Sequence, residues 1–128
     1  MIPSSFRSKF EHTPVVHFLK EMNQNAFRLK MYSTYYDSPH GLMNVSNYST
    51  AEDQALLVTE CMKSDMFRKV VGTVTYETKA LSSFEKKNST LYQWQNTNKL
   101  VGVMPGLIGC KTGITQAAGP CLAGYYED

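Results

Sequence analysis

The sequence lacks both a strong excess of charge and any long apolar run. Its formal net charge is only +2, and its basic residues are scattered, so nucleic acid and anionic membranes are not expected as partners. No run of about 18 apolar residues occurs, and therefore no membrane-spanning helix is expected. The opening segment has none of the apolar stretch of a secretory signal, which leaves the localisation open.

Cysteine is also scarce, and its spacing excludes the common metal-binding arrangements. The three cysteines are Cys61, Cys110 and Cys121, which form neither a Cys-x-x-Cys pair nor a zinc-type spacing. We therefore predict no metal site and no cofactor. A disulfide between Cys110 and Cys121 stays open, because both lie on segments that could form neighbouring strands, but buried thiols are favoured.

The patterning that is present belongs to one globular domain. The 128 residues suffice for a single domain over 1–128, within which residues 1–12 are expected to be disordered. Apolar residues at spacings of three and four predict a helix from Val15 to Lys30. A second helix is predicted to begin where two capping boxes fit equally well: Ser49 with Glu52, and Thr50 with Asp53.

The second half of the sequence predicts strands. Residues alternate in character from Val70 to Ala80, which indicates a half-exposed strand. A second strand is predicted at Leu91–Gln95, and the polar run Asn96-Thr97-Asn98-Lys99 should end it. Two further strands are predicted at Leu107–Thr112 and Cys121–Tyr126.

The segment Lys111-Thr112-Gly113 has the residue types that hold an extended peptide by its carboxylate. Lys111 could supply a fixed positive charge, and Thr112 could add a hydroxyl to the same carboxylate. Gly113 would let a substrate backbone approach without a Cβ in the way. The alternative is a solvated Lys-Thr pair at a strand end, followed by a turn glycine.

Several stretches, in order and with similar spacing, resemble one known family over about residues 18 to 125. They are Met22-Asn23 with Ala26, Leu29 and Met31; Ser38-Pro39-His40-Gly41-Leu42; Tyr48 to Leu57; Asn96 with Asn98-Lys99-Leu100; and Gly109 to Thr115. This set is similar to the D-alanyl-D-alanine carboxypeptidases, the low-molecular-weight penicillin-binding proteins. Those enzymes act by serine acyl transfer, with Ser-x-x-Lys, Ser-x-Asn and Lys-Thr-Gly motifs.

The resemblance implies a fold, a ligand and a set of site residues. The expected class is α/β (α+β), a partial β-lactamase/transpeptidase-like fold with an antiparallel sheet and flanking helices, truncated at both ends. The implied ligand is a D-Ala-D-Ala-type peptide or a β-lactam, held by Lys111, Thr112 and Gly113. Members of the family are extracytoplasmic, and the oligomeric state stays open. Three further residues are assigned to the cleft or to a structural motif: His40, Gly41 and Thr115.

The sequence differs from the family pattern at the catalytic motifs. No Ser-x-Asn occurs, and the one Ser-x-x-Lys, from Ser83 to Lys86, falls in a polar loop where the lysine would stay charged. His40 is interpreted as a turn residue that hydrogen-bonds backbone rather than as a catalytic base. We therefore assign no catalytic residue, and expect little or no turnover from this chain.

Two other functions stay open beside an inactive member of the family. One is a non-catalytic peptide-binding or interaction remnant. The other is a serine β-lactamase-like hydrolase, although the His40-Gly41-Leu42 stretch resembles the carboxypeptidases more than the β-lactamases. A partial domain should also leave a sheet edge and an apolar face uncovered. Low stability is expected to follow.

Overall fold

The computed structural model describes residues 13–42, 44–81 and 89–128. The expected disorder of residues 1–12 falls outside these ranges. Within them, three helices precede four strands: α1 (Pro14–Arg28), α2 (Ala51–Cys61), α3 (Asp65–Gly72), β1 (Thr75–Leu81), β2 (Ser89–Gln95), β3 (Leu107–Thr115) and β4 (Gly119–Tyr126). This mixture of helices and paired strands confirms the predicted α+β class.

The chain divides into two compact units. The first runs up to Thr59 and includes Thr115–Gly119, and the second comprises Glu60–Ile114 and Pro120–Asp128. Helix α1 and most of α2 belong to the first unit. Helix α3, strands β1 and β2, and most of β3 and β4 belong to the second.

In the first unit, a buried carboxylate joins α2 to the loop that follows α1. The amide of Asp53 donates to Thr50 Oγ1 at 3.1 Å, so the helix is capped by Thr50, the second of the two predicted alternatives. The Asp53 carboxylate is buried and accepts from the Ser33 amide at 2.9 Å and from Thr34 Oγ1 at 2.6 Å. These bonds satisfy a charge that would be costly to bury alone.

In the second unit, α3 and β3 approach closely because glycines lie at their contact. A Cβ on Gly72 would lie 3.1 Å from the Ile108 carbonyl oxygen, and one on Gly109 would lie 2.8 Å from Val71 Cγ2. Ordinary side chains at either position would push the helix and the strand apart.

The predicted strand from Val70 to Ala80 was wrong over its first residues. Helix α3 continues to Gly72, and β1 begins only at Thr75. The Ser64 hydroxyl caps the helix by accepting from the Phe67 amide at 3.3 Å. The cap and the helical spacing of the apolar residues after it outweigh the short alternation read from Val70 onward.

Two antiparallel pairs of strands make up the sheet structure that the described residues contain. Strands β1 and β2 pair from Thr75↔Gln95 to Leu81↔Ser89. Strands β3 and β4 form the second pair, and the short turn between them requires an antiparallel arrangement. On the first pair, the rings of Tyr76 and Trp94 stack with centroids 6.0 Å apart.

Few apolar side chains are buried in the part of the chain that the structure describes. The buried ones are Ala26, Met31, Met62 and Val101, and the exposed ones include Phe18, Phe27, Met66 and Trp94. The uncovered apolar face expected of a partial domain stays a prediction. No helix in the described ranges is long and apolar enough to cross a membrane.

Candidate substrate-binding site

Lys111, Thr112 and Gly113 lie inside β3 rather than at its end. The strand continues to Thr115, so Gly113 is a strand residue and not a turn glycine. Side chains alternate along a strand, which places Lys111 and Gly113 on one face and Thr112 on the other. The two residues on the first face are exposed, and Thr112 is half-buried.

Nothing in the described chain requires a glycine at position 113. A Cβ there would meet no atom within 4 Å, and Gly113 is not among the residues with positive φ. A glycine inside a strand weakens it, because its backbone loses more freedom on folding. The feature that such a glycine does provide is room for an outside group to approach the strand.

Lys111 offers a positive charge that no carboxylate of the described residues neutralises. Its side chain is exposed, and its Nζ donates to the backbone oxygen of Thr112. The two ion pairs of the described residues join Lys63 to Glu60 and Arg68 to Glu127. The ammonium group is therefore available to an anion from outside.

The hydroxyl of Thr112 is paired with that of Thr97, and the two Oγ1 atoms are 2.7 Å apart. Thr97 lies in the loop after β2, which sequence reasoning treated only as the end of a strand. The signal that could have found it is the Asn-Thr-Asn run, whose polar side chains are able to fix a loop.

Asn96 fixes this loop to the end of α3. Its Nδ2 donates to the carbonyl oxygens of Val71 and Thr73, each at 2.9 Å, and its backbone amide donates to the Val74 oxygen at 2.8 Å. Its Oδ1 accepts from the amide of Asn98 at 2.9 Å. One side chain thus satisfies carbonyl groups that a helix end leaves without partners, and it holds Thr97 beside β3.

A pocket of about 740 Å³ lies next to the hydroxyl pair in the second unit. It is mainly apolar, with Thr97 and Cys110 on its border and with these further lining residues: Met66, Lys69, Val70, Val71, Thr73, Tyr76, Trp94, Gln95 and Asn96. Burial, with a smaller contribution from neighbouring Cys61, raises the pKa of the Cys110 thiol. Cys110 is therefore protonated at neutral pH and unsuited to nucleophilic attack. It forms no disulfide, so the open pairing with Cys121 is not made.

The other predicted residues lie in turns of the first unit. His40 is exposed, and its Nδ1 accepts from the Leu42 amide at 3.0 Å. Gly41 adopts a left-handed φ of 70°, which glycine tolerates best. Thr115 Oγ1 accepts from the Ala118 amide at 3.0 Å, in the turn between β3 and β4. Ser83 and Lys86 fall outside the described residues.

The sequence pattern of the D-alanyl-D-alanine carboxypeptidase family matches residues 14–126. The chain belongs to this family. The family resemblance read from the sequence is thereby confirmed, as is the transpeptidase-like fold by the solved structures below.

Curated relatives from two organisms match most of this chain, but only part of their own length. The D-alanyl-D-alanine carboxypeptidase of Streptomyces sp. strain K15 is 36% identical over 108 residues, which is 84% of this chain and 37% of the relative. The carboxypeptidase DacF of Bacillus subtilis is 36% identical over 105 residues, which is 82% of this chain and 25% of the relative.

Solved structures of relatives have the same fold over the shared region. The Streptomyces K15 DD-transpeptidase superposes with a TM-score of 0.78 at 34% identity, covering 87% of this chain and 42% of that one. Penicillin-binding protein D2 of Listeria monocytogenes, in its cefotaxime-bound form, gives a TM-score of 0.68 at 31% identity, covering 87% of this chain and 42% of that one. This carboxypeptidase-family chain therefore corresponds to less than half of each relative.

Proposed function

We propose that β3 is the substrate-binding strand of a serine-type D-Ala-D-Ala carboxypeptidase, an enzyme of peptidoglycan-type peptides that works through an acyl-enzyme. The observation that carries the proposal is the combination of a Lys111 that pairs with no carboxylate of the described residues and an unfilled space above Gly113. The fold of the described residues neither neutralises the charge of Lys111 nor requires a glycine at position 113. Both features suit an extended peptide that ends in a carboxylate.

The peptide would bind by adding to the edge of β3. In the described ranges, β4 is the strand paired with β3, so backbone groups on the other edge can bond an extended ligand. Because the ligand would lie along the edge of β3, between its two faces, Lys111 would reach the terminal carboxylate from one face and the Thr112 hydroxyl would donate to it from the other. Gly113 would admit the ligand backbone to hydrogen-bonding distance.

A β-lactam is the second ligand that this strand would accept. Like the peptide, it carries a carboxylate beside an amide. The cefotaxime-bound Listeria structure is of a relative whose fold this chain shares. We therefore expect β-lactams and D-Ala-D-Ala peptides to compete for the same strand.

The 128 residues themselves support binding better than turnover. Acyl transfer in this family needs a serine made nucleophilic by a neighbouring lysine. The sequence has no Ser-x-Asn, and its one Ser-x-x-Lys, Ser83 to Lys86, stands in a polar stretch of the sequence. A polypeptide of this sequence is thus proposed to hold the peptide without cleaving it.

Titration of the 128-residue polypeptide with an N-acetylated tripeptide ending in D-Ala-D-Ala tests the proposal. Saturable NMR shift changes at Lys111 and Gly113 are expected, and Lys111→Ala should abolish them. Lys20→Ala, which removes an exposed lysine from α1, is the matched control and should bind like wild type. A tripeptide ending in L-Ala-L-Ala should bind less tightly, and equal binding by Lys111→Ala and wild type would refute the proposal.

A further inference from the structure

The hydrogen bond between the hydroxyls of Thr97 and Thr112 can be donated by either residue. The two oxygens are 2.7 Å apart, and either can be the donor. Each hydroxyl carries one proton and two acceptor lone pairs. If Thr112 gives its proton to Thr97, it presents only lone pairs to a ligand. If Thr97 gives its proton to Thr112, the proton of Thr112 is free to point elsewhere.

The loop that carries Thr97 is fixed by side-chain hydrogen bonds on both sides of Thr97, although Thr97 itself is exposed to solvent. Asn96 forms its four bonds immediately before Thr97. On the other side, the amide of Leu100 donates to Asn98 Oδ1 at 3.2 Å. Because the same helix end that binds Asn96 also packs against Gly109 of β3, the loop and β3 are both fixed to α3.

We infer that Thr97 is a positioning residue, which donates to Thr112 Oγ1 so that the Thr112 proton is directed at the ligand carboxylate. The inference rests on the proposed function, since a carboxylate accepts hydrogen bonds and repels lone pairs. The result is a series of two hydrogen bonds, in which Thr97 donates to Thr112 and Thr112 donates to the ligand. Each bond polarises the next, which strengthens the contact with the charged end.

A comparison of two ligands with two variants separates this role from a structural one. The ligands are the acetylated D-Ala-D-Ala tripeptide and its C-terminal amide, which lacks the carboxylate. Thr97→Val keeps the shape of the side chain and removes the hydroxyl, and Thr97→Ser keeps the hydroxyl. Thr97→Val should weaken binding of the acid by roughly threefold to tenfold, the range that a typical net hydrogen bond supplies. Its binding of the amide should be unchanged, and Thr97→Ser should bind the acid like wild type.

A second measurement tests whether Thr97 positions the Thr112 side chain, even when the peptide does not bind. Three-bond couplings from the Thr112 methyl carbon report whether its side chain occupies one rotamer. We expect a single rotamer in wild type and in Thr97→Ser, and averaging in Thr97→Val. If wild type fails to distinguish acid from amide, the proposed function is wrong, and the couplings alone decide whether Thr97 orients Thr112. An unchanged Thr112 rotamer in Thr97→Val, or equal weakening of both ligands, would overturn the inference.

Discussion

The side-chain amide of Asn23 pairs with both backbone groups of Tyr36. Asn23 Oδ1 accepts from the Tyr36 amide at 2.8 Å, and Asn23 Nδ2 donates to the Tyr36 oxygen at 2.7 Å. The side chain thereby takes the place of a neighbouring strand, and ties the loop after α1 back onto the helix. Because these groups are partly buried, their loss is not fully repaid by water.

Replacing Asn23 should therefore destabilise the first unit. Asn23→Ala is expected to lower the free energy of unfolding by about 2 kcal/mol, since it leaves a donor and an acceptor of Tyr36 without partners. Urea denaturation measures the loss, and hydrogen exchange at the Tyr36 amide should accelerate. Asn25→Ala, on the exposed side of the same helix, is the control. Comparable losses in both variants would contradict the assigned role of the Asn23 pair.

Two glycines of one strand should respond in opposite ways to the same substitution. Gly109→Ala places a Cβ 2.8 Å from Val71 Cγ2, and overpacking of this kind costs about 1–3 kcal/mol. Gly113→Ala meets no atom within 4 Å, so thermal unfolding should show little change or a slight gain in stability. A Gly109→Ala variant as stable as wild type would show that the contact of α3 with β3 does not demand a glycine.

The same Gly113→Ala variant should bind the D-Ala-D-Ala peptide poorly. Its added methyl group occupies the space where the ligand backbone is proposed to approach. The titration used for Lys111→Ala measures this loss. Full stability together with weakened binding is the expected result, while unimpaired binding would mean that the ligand does not approach β3 at this position.

The ion pair of Arg68 and Glu127 should make the stability of the second unit depend on pH. The two guanidinium nitrogens donate to the two carboxylate oxygens, each at 2.7 Å. The hydrogen bond from Arg68 is the main cause that lowers the pKa of Glu127 from its ordinary value of 4.5. Because the pKa is lower in the folded chain, the stabilisation is complete above about that ordinary value and is lost as the pH falls through the folded pKa.

Unfolding followed between neutral and acid pH checks this dependence. Glu127→Gln should be less stable than wild type at neutral pH, and the difference should shrink as the carboxyl group of wild type becomes protonated. Arg68→Gln should remove the same part of the pH dependence. High salt should reduce the effect, since the pair is exposed. A constant difference between Glu127→Gln and wild type at every pH would contradict the interpretation.

A polypeptide of these 128 residues should not form a covalent adduct with a fluorescent penicillin. The reason is that Ser83 and Lys86 stand in a polar stretch of the sequence, whereas a lysine that serves as a base has to be desolvated. Denaturing gel electrophoresis after incubation gives the result, with a full-length carboxypeptidase as the positive control. A labelled band that Ser83→Ala abolishes would identify Ser83 as a nucleophile.

Local sequence patterns predicted most helices and strands of this fold. They failed where a contact between residues far apart in the sequence determines the local structure. The helix predicted from Val15 to Lys30 spans Pro14–Arg28, and the strand predicted at Leu107–Thr112 spans Leu107–Thr115. Val70 to Gly72 were misassigned because their alternation fits a strand, while the cap at Ser64 and the packing against β3 favour a helix. That packing depends on Gly109, which the sequence alone does not place beside α3.

The candidate site divides in the same way. Lys111, Thr112 and Gly113 could be proposed from the sequence because they are consecutive and because their residue types suit the binding of a carboxylate. Thr97 was not singled out because the role now proposed for it depends on a contact with Thr112, 15 positions later. A hydroxyl in a loop gives no sign of its partner until the loop and the strand are seen side by side.

The empty space above Gly113 also bears on how such a protein could evade an inhibitor. A Cβ at position 113 would meet no described atom within 4 Å, so a substitution there should not lower the stability of the protein. If the ligand approaches β3 as proposed, the ligand alone would penalise a side chain at that position. A bulky β-lactam that approaches β3 closely would therefore be vulnerable to resistance by a single methyl group, whereas a compound that binds through Lys111 and keeps clear of Gly113 would not.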